Sequence, residues 1–129
     1  MNKHLVFVYG TLRQGGVRAM PGIFPAAKFI GQASVSGSLY DLGAYPGLLL
    51  DESSSLVIGE VYEIDDEILQ KLDEIEAASD YWRKEVEASL GNHRMRCWVY
   101  GPKPEFYSLQ TLITSGDWIA HAKTKTETA

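Results

Sequence analysis

The chain has 129 residues, 45% of them hydrophobic, which suits one domain with a buried core that needs no disulfide or metal to hold it. The formal net charge of −5 argues against a nucleic-acid backbone or an anionic membrane as the main partner. Cys97 is the single cysteine, so an internal disulfide is excluded. The sequence has no apolar run of membrane-spanning length and no signal-peptide pattern after Met1. Together these features predict a cytoplasmic location.

The amino-terminal segment predicts a buried strand followed by a tight turn. Apolar and β-branched residues run from Leu5 to Tyr9, and Gly10 stops the run. A glycine lets a ligand approach the main chain, and amide groups beyond a strand end can bind a carboxylate or an oxyanion. Arg13 follows the turn, where it either reaches an anion or is solvated. A plain core strand ending at a turn is the commoner origin of such a pattern.

The next segments predict two strands joined by an irregular loop. Small polar and apolar residues alternate over Ala33–Tyr40, with Gly37 marking a bulge or a close approach. In the loop that follows, Pro46 forces extended geometry on Tyr45 and so fixes how that tyrosine is presented. The clearest later strand is Leu56–Ile64, which alternates from Ile58 onward.

A helix is predicted from about Asp66 to Glu76, with Asp65 as its N-cap. Its apolar positions form one stripe, made of Ile68, Leu69, Leu72 and Ile75. Asp73 and Glu74 are expected to face water, as most charged helix residues do.

Glu76 is the unusual residue of this helix, because it projects near the line from Leu69 to Leu72. One interpretation is that the helix frays there and the side chain turns to solvent. The other is functional: desolvation raises the pKa of a carboxylic acid, and a carboxylate with a near-neutral pKa can accept and return a proton within one reaction.

The last part of the chain predicts a β-hairpin, Tyr81–Leu90 and His93–Tyr100, turning at Gly91–Asn92. Tyr81 is expected either as a core tyrosine with its hydroxyl at the rim or as a ligand contact, and Arg83 as a strand-surface charge. The tail from about Lys123 is expected to fray. We expect residues 1–129 to form a single domain.

The sequence offers no metal site and no convincing nucleophile. The three histidines, His4, His93 and His121, lie far apart without carboxylates or cysteines at metal-ligand spacing. No serine has a Gly-x-Ser-x-Gly setting, and Gly15–Gly16 lacks the lysine of a phosphate-binding loop.

Four stretches, taken in order, resemble the γ-glutamylcyclotransferase-like proteins, a group that includes γ-glutamylamine cyclotransferases and their bacterial relatives. The first resembles the family's Tyr-Gly-(Ser/Thr)-Leu signature, and the last resembles its Leu-Asp-x-x-Glu…Tyr-x-Arg block. The four stretches are Val6–Arg13, Gly37–Gly43 with Tyr45–Gly47, Val57–Tyr62, and Leu72–Glu76 followed by Tyr81–Arg83. A further stretch, Ser115–Trp118, resembles the tail of some bacterial members. The segment containing Pro21, Gly22 and Pro25 departs from the family, whose members are more helical there.

The resemblance implies an α+β fold, a small mixed curved sheet or β-barrel with a few flanking helices. It implies that Glu76 is the catalytic residue, acting as general acid and base, and that no metal or cofactor takes part. A small-molecule γ-glutamyl substrate is the implied partner. The implied substrate-binding residues are Tyr9, Gly10, Thr11, Leu12, Arg13, Tyr45 and Tyr81.

Two functions of different classes follow. The first is a γ-glutamyl cyclotransferase that releases 5-oxoproline and a free amine or amino acid by intramolecular attack of the α-amine. The second is a small-molecule-binding or interaction protein that keeps the pocket without turnover. Glu76 discriminates between them, because a protein that only binds has little need of a desolvated carboxylate. The sequence does not identify the leaving group of the reaction.

Overall fold

The computed structural model of the chain describes residues 3–14, 19–42, 46–50, 55–78, 80–102 and 111–127. The strands are β1 (Lys3–Val8), β2 (Lys28–Ser36), β3 (Ser38–Asp41), β4 (Pro46–Leu49), β5 (Leu56–Asp65), β6 (Tyr81–Leu90), β7 (His93–Pro102) and β8 (Thr111–Leu112). The helices are α1 (Met20–Ile23), α2 (Asp66–Ala77) and α3 (Trp118–Glu127).

Five strands close into a barrel in the order β1-β5-β2-β6-β7. Strand β5 is antiparallel to both of its neighbours, β1 and β2. Strand β7 closes the barrel by pairing in parallel with β1, where Trp98 lies opposite Val6. A second, three-stranded sheet has the order β4-β3-β8. The expected α+β class with a small barrel is therefore confirmed.

Gly37 separates two strands where the sequence predicted one. Strand β2 ends at Ser36 in the barrel, and β3 begins at Ser38 in the second sheet. A Cβ atom at Gly37 would lie 2.7 Å from the carbonyl oxygen of Leu49, so the predicted close approach is confirmed. The single strand was wrong because the chain changes sheets at this glycine.

Two apolar clusters lie on opposite faces of the barrel wall. Buried side chains from all five barrel strands fill the interior, among them Phe7, Val35, Val61, Ala88 and Cys97. The outer cluster joins the barrel to α1 and α2 and includes Val8, Met20, Tyr62, Ile64 and Leu72. The alternation predicted along β5 is confirmed, since its neighbouring residues divide between the two clusters.

Helix α2 begins and ends almost where the sequence predicted. The Asp65 carboxylate caps it by accepting a 2.9 Å hydrogen bond from the Ile68 N–H group, and the helix ends at Ala77. Ile68 and Leu72 are buried as expected. Ile75 is 37% exposed, so its place on the buried stripe was wrong. The stripe is narrower because the barrel covers only the side of the helix that carries Ile68, Leu69 and Leu72.

The predicted hairpin β6–β7 is confirmed. Leu90 lies opposite His93, and Gly91 is in the left-handed region at a φ of +57°.

The carboxyl-terminal end differs from the prediction of a frayed tail, because α3 continues past Lys123 to Glu127. Among the described residues, none of the helices is long and apolar enough to cross a membrane.

Candidate active site

The segment after β1 is a compact turn that is fixed to α1. The Arg13 N–H group donates to the Gly10 carbonyl oxygen at 3.0 Å, which closes the turn. The Leu12 carbonyl oxygen accepts a 2.9 Å hydrogen bond from the Met20 N–H group. Thr11 and Leu12 are half-buried within this turn. The backbone groups that the sequence assigned to ligand binding are therefore held in a defined conformation.

Gly10 is required here because the start of β4 lies directly against it. A Cβ atom on Gly10 would lie 2.7 Å from Cγ of Pro46, a separation that no real side chain tolerates. The Pro46 carbonyl oxygen in turn accepts a 2.6 Å hydrogen bond from the Tyr81 hydroxyl. Tyr81 thus connects the turn, through Pro46, with the start of β6.

Tyr9 links the same turn to β4 and β7. Its hydroxyl donates to the Tyr100 carbonyl oxygen at 2.6 Å and accepts from the Leu48 N–H group at 3.2 Å. The ring is 6% exposed. Because the Tyr9 and Tyr81 hydroxyls both bind backbone groups, each has a clear role in positioning the main chain. Tyr45, the remaining predicted tyrosine contact, lies outside the described residues.

Arg13 is buried and binds two carboxylates of the protein itself. Its Nε donates to Glu60 Oε2 at 2.6 Å, and one Nη donates to Asp117 Oδ1 at 2.8 Å. The Gln14 N–H group donates to the second oxygen of Glu60 at 3.0 Å. Arg13 thus reaches anions, as one of the two sequence-based alternatives predicted. These anions are carboxylates of the protein itself, Glu60 on β5 and Asp117 at the start of α3, rather than a ligand. These bonds tie the turn to the barrel and to the carboxyl-terminal helix.

Glu76 lies one residue before the end of α2 and is half-buried. Its charge acts on Tyr100 of β7. Burial and a hydrogen bond to Asp73 raise the pKa of the Tyr100 hydroxyl above its ordinary value, and the charge of Glu76 acts in the same direction. The charge of Glu76 thus acts on Tyr100, the residue whose backbone carbonyl oxygen accepts from the Tyr9 hydroxyl.

Asp73 was predicted to face water, but the structure shows it half-buried and hydrogen-bonded. Its Oδ1 accepts hydrogen bonds from the Tyr100 hydroxyl at 2.6 Å and from Arg83 Nε at 3.0 Å. The Arg83 guanidinium also lies 4.2 Å from the centre of the Trp98 ring. Arg83 is thus more than a surface charge, since it fixes Asp73 against β7. Glu74 is exposed, as predicted.

Sequence reasoning missed Glu60, Tyr100 and Asp117 as parts of this region. One local signal was available for Glu60, a carboxylate on the same face of a buried strand as Tyr62. Asp117 lies in the Ser115–Trp118 stretch that resembles the tail of some bacterial family members, but that resemblance does not identify its partner. Tyr100 carries no local signal, because its role depends on partners far away in the sequence.

Cys97 offers no nucleophile to this site. It is 3% exposed in the barrel interior, and burial raises the pKa of its thiol to about 11. At neutral pH the thiol is therefore protonated and enclosed by the core, so it is not a reactive thiolate.

A family model described as "Gamma-glutamyl cyclotransferase, AIG2-like" matches residues 6–120. The chain belongs to this family. The matched range contains the end of β1, the turn after it, the other four barrel strands and the start of α3, so every residue of the candidate site lies inside it. The family resemblance inferred from the four sequence stretches is confirmed.

Relatives within this family support the assignment over most of the chain. A Vibrio cholerae protein, whose name assigns it provisionally to the gamma-glutamylcyclotransferases, is 40% identical over 119 residues, covering 90% of this chain and 96% of its own length. The gamma-L-glutamyl-butirosin B gamma-glutamyl cyclotransferase of Niallia circulans is 46% identical over 72 residues, covering 55% of this chain and 44% of that protein. The crystal structure of an AIG2-like protein from Mus musculus superposes with a TM-score of 0.76 at 25% identity, covering 92% of this chain and 89% of the mouse chain.

Proposed function

We propose that the protein is a γ-glutamyl cyclotransferase that converts a γ-glutamyl amine or peptide into 5-oxoproline and a free amine or amino acid. The observation that carries the proposal is the position of Tyr100. Its carbonyl oxygen accepts from the Tyr9 hydroxyl, and its own hydroxyl donates to Asp73 of α2, the helix that carries Glu76. Tyr9, at the start of the turn that would hold the γ-glutamyl group, and the helix that carries the proposed proton acceptor thus both bind Tyr100.

The reaction is an intramolecular acyl transfer in which one carbon–nitrogen bond forms and another breaks. The α-amine nitrogen of the substrate attacks the γ-carbonyl carbon, and a five-membered ring closes as the bond to the leaving nitrogen breaks. Glu76 accepts the proton that the attacking amine loses and returns it to the leaving amine. Because both reacting groups belong to one molecule, holding it in a folded conformation supplies much of the rate acceleration.

The turn after β1 would bind the γ-glutamyl moiety. Main-chain N–H groups between Gly10 and Leu12 would hold either the α-carboxylate or the oxyanion that develops on the γ-carbonyl oxygen. Tyr9 and Tyr81 would fix the position of this turn, and Arg13 would anchor it to Glu60 rather than contact substrate. No metal, cofactor or covalent intermediate is needed for these steps.

The proposal includes the domain organisation and the cellular location. The barrel and the family match at residues 6–120 support a single catalytic domain. The buried, unpaired thiol of Cys97 agrees with work in a reducing cytoplasm.

The activity is tested by incubating the purified protein with a panel of γ-glutamyl compounds and quantifying 5-oxoproline by mass spectrometry. The panel should contain γ-glutamyl amines, γ-glutamyl amino acids and glutathione. We expect 5-oxoproline and the matching amine in equal amounts from at least one class. Saturable binding of a panel member without any product would favour the alternative, a binding protein that retains the pocket.

Changing Gly10 to alanine is expected to lower kcat/KM by about a hundredfold, since displacing the turn by about 1 Å misplaces the substrate. The added Cβ would contact Pro46 at 2.7 Å, so either the turn or β4 must shift. Gly22→Ala on α1 is the matched control, because its added Cβ would meet nothing within 4 Å. Steady-state kinetics of both variants give the comparison, and unchanged kinetics for Gly10→Ala would contradict the assigned role of the turn.

A further inference from the structure

The carboxyl-terminal helix α3 is joined to the candidate active site by the carboxylate of Asp117, the residue just before the helix. Asp117 Oδ1 accepts a 2.8 Å hydrogen bond from an Nη of Arg13. Arg13 is the residue whose N–H group closes the turn after β1 on the Gly10 carbonyl oxygen. The bond from α3 therefore ends on the residue that shapes the turn.

The barrel fixes Asp117 independently of Arg13. The Gly116 carbonyl oxygen accepts a 2.8 Å hydrogen bond from the Ile58 N–H group of β5. Gly116 has a φ of +68°, and a Cβ atom there would overlap the carbonyl oxygen of Leu56. On the other side of Asp117, Trp118 is 5% exposed and belongs to the cluster that fills the barrel interior. Asp117 is thus held from both sides, so its bond positions Arg13 and not the reverse.

The first turn of α3 orients the Asp117 carboxylate toward Arg13. The oxygen that binds Arg13 also accepts a 3.1 Å hydrogen bond from the Ala120 N–H group, which makes Asp117 the N-cap of α3. The Asp117 carbonyl oxygen accepts the first backbone bond of the helix, from His121 at 3.0 Å. One carboxylate oxygen therefore caps the helix and binds the active-site turn together.

The Arg13 guanidinium is fixed because it is held at two of its edges. Glu60 accepts from its Nε at 2.6 Å, and Asp117 accepts from one Nη. A planar group with two attachments keeps one orientation, whereas a group bound to Glu60 alone would pivot about that bond. Because Arg13 closes the turn through its own backbone, such a pivot would displace the N–H groups between Gly10 and Leu12.

We propose, on the basis of the function above, that Asp117 is a positioning residue for the γ-glutamyl group. The turn after β1 takes its binding geometry when α3 is docked on the barrel, and Asp117 transmits that state through Arg13. Because a coupling between two events is reciprocal, a γ-glutamyl compound bound at the turn also strengthens the docking of α3.

The variant Asp117→Ser separates the two roles of the carboxylate. Serine caps a helix as well as aspartate does, but its oxygen is one bond closer to Cα and does not reach Arg13. We expect kcat/KM for the best γ-glutamyl compound of the panel to fall by about tenfold to a hundredfold, mainly through a higher KM. Asp117→Asn keeps an oxygen at the original distance and is expected to remain within about fivefold of the wild type.

His121→Ala is the matched control, because it loosens α3 without touching the turn. The His121 ring lies 2.7 Å from an Asp41 carboxylate oxygen on β3, and this contact is lost in the variant. We expect its melting temperature to fall while its KM stays at the wild-type value. Wild-type KM in Asp117→Ser, or an equal rise of KM in His121→Ala, would overturn the proposal.

Amide hydrogen exchange followed by NMR tests the coupling without any substrate. We expect the Arg13 amide to exchange about tenfold faster in Asp117→Ser than in the wild type or in His121→Ala. In the other direction, Gly10→Ala should accelerate exchange at Ala120, and Gly22→Ala should not. Coupled exchange without 5-oxoproline from any compound would support the link between α3 and the turn and refute the proposed function. Formation of 5-oxoproline with uncoupled exchange would overturn the link and leave the function standing.

Discussion

Replacing Glu76 with glutamine is expected to lower kcat for 5-oxoproline formation by about 10²- to 10⁴-fold, the usual contribution of a positioned general acid and base. The amide has nearly the same shape as the carboxylic acid but cannot accept a proton from the attacking amine. Glu76 is half-buried at the last turn of α2, and glutamine preserves the shape of its side chain there. We therefore expect KM and the melting temperature to change little.

The matched control for this variant is Glu67→Gln, which removes a carboxylate from the exposed first turn of the same helix. Its kinetics should match those of the wild type. If Glu76→Gln forms 5-oxoproline as fast as the wild type does, Glu76 is not the proton acceptor.

Replacing Arg13 with methionine is expected to lower the free energy of unfolding by about 3–5 kcal/mol, as removal of one partner of a buried ion pair usually does. Arg13 and Glu60 are 8% and 5% exposed and are joined by a 2.6 Å bond. The variant leaves the Glu60 carboxylate buried and without the guanidinium, while the Gln14 N–H group still donates to it. Urea denaturation followed by fluorescence measures the change.

The double variant Arg13→Met/Glu60→Gln provides the decisive comparison, because it removes both charges. We expect it to be more stable than Arg13→Met alone, since the buried Glu60 charge is removed and the Asp117 carboxylate, 31% exposed, remains in contact with water. Arg94→Met is the exposed control: Arg94 pairs with Glu87 across a solvated hairpin and should cost no more than about 1 kcal/mol. Equal losses for Arg13→Met and Arg94→Met would contradict the buried-pair account.

Elements that depend on neighbours in the sequence could be predicted well. Helix α2 follows from an N-cap, an acidic first turn and an apolar stripe, and all three are local. The hairpin β6–β7 follows from strand alternation on both sides of Gly91. Gly37 marks the limit of such local signals. The glycine indicated a close approach of the backbone, but it could not indicate that the chain changes sheets there.

The candidate site was predicted only in part, because its contacts join distant parts of the chain. The Arg13 guanidinium binds residues that are 47 and 104 positions away, so no local pattern identifies its partners. Asp73 was expected in solvent because helix periodicity gives the direction of a side chain, not the protein surface that it meets. Tyr100 supplies that surface through the closure of the barrel, which is a tertiary feature.

Intramolecular cyclisation is tested most directly by running the reaction in ¹⁸O-labelled water. In the proposed reaction water is not a reactant, so 5-oxoproline should form with no ¹⁸O at its ring carbonyl, together with one equivalent of free amine. A γ-glutamyl substrate with an acetylated α-amine should give no product, because its nucleophile is blocked. Release of glutamate carrying one ¹⁸O, or turnover of the acetylated substrate, would mean hydrolysis and would contradict the assignment as a cyclotransferase.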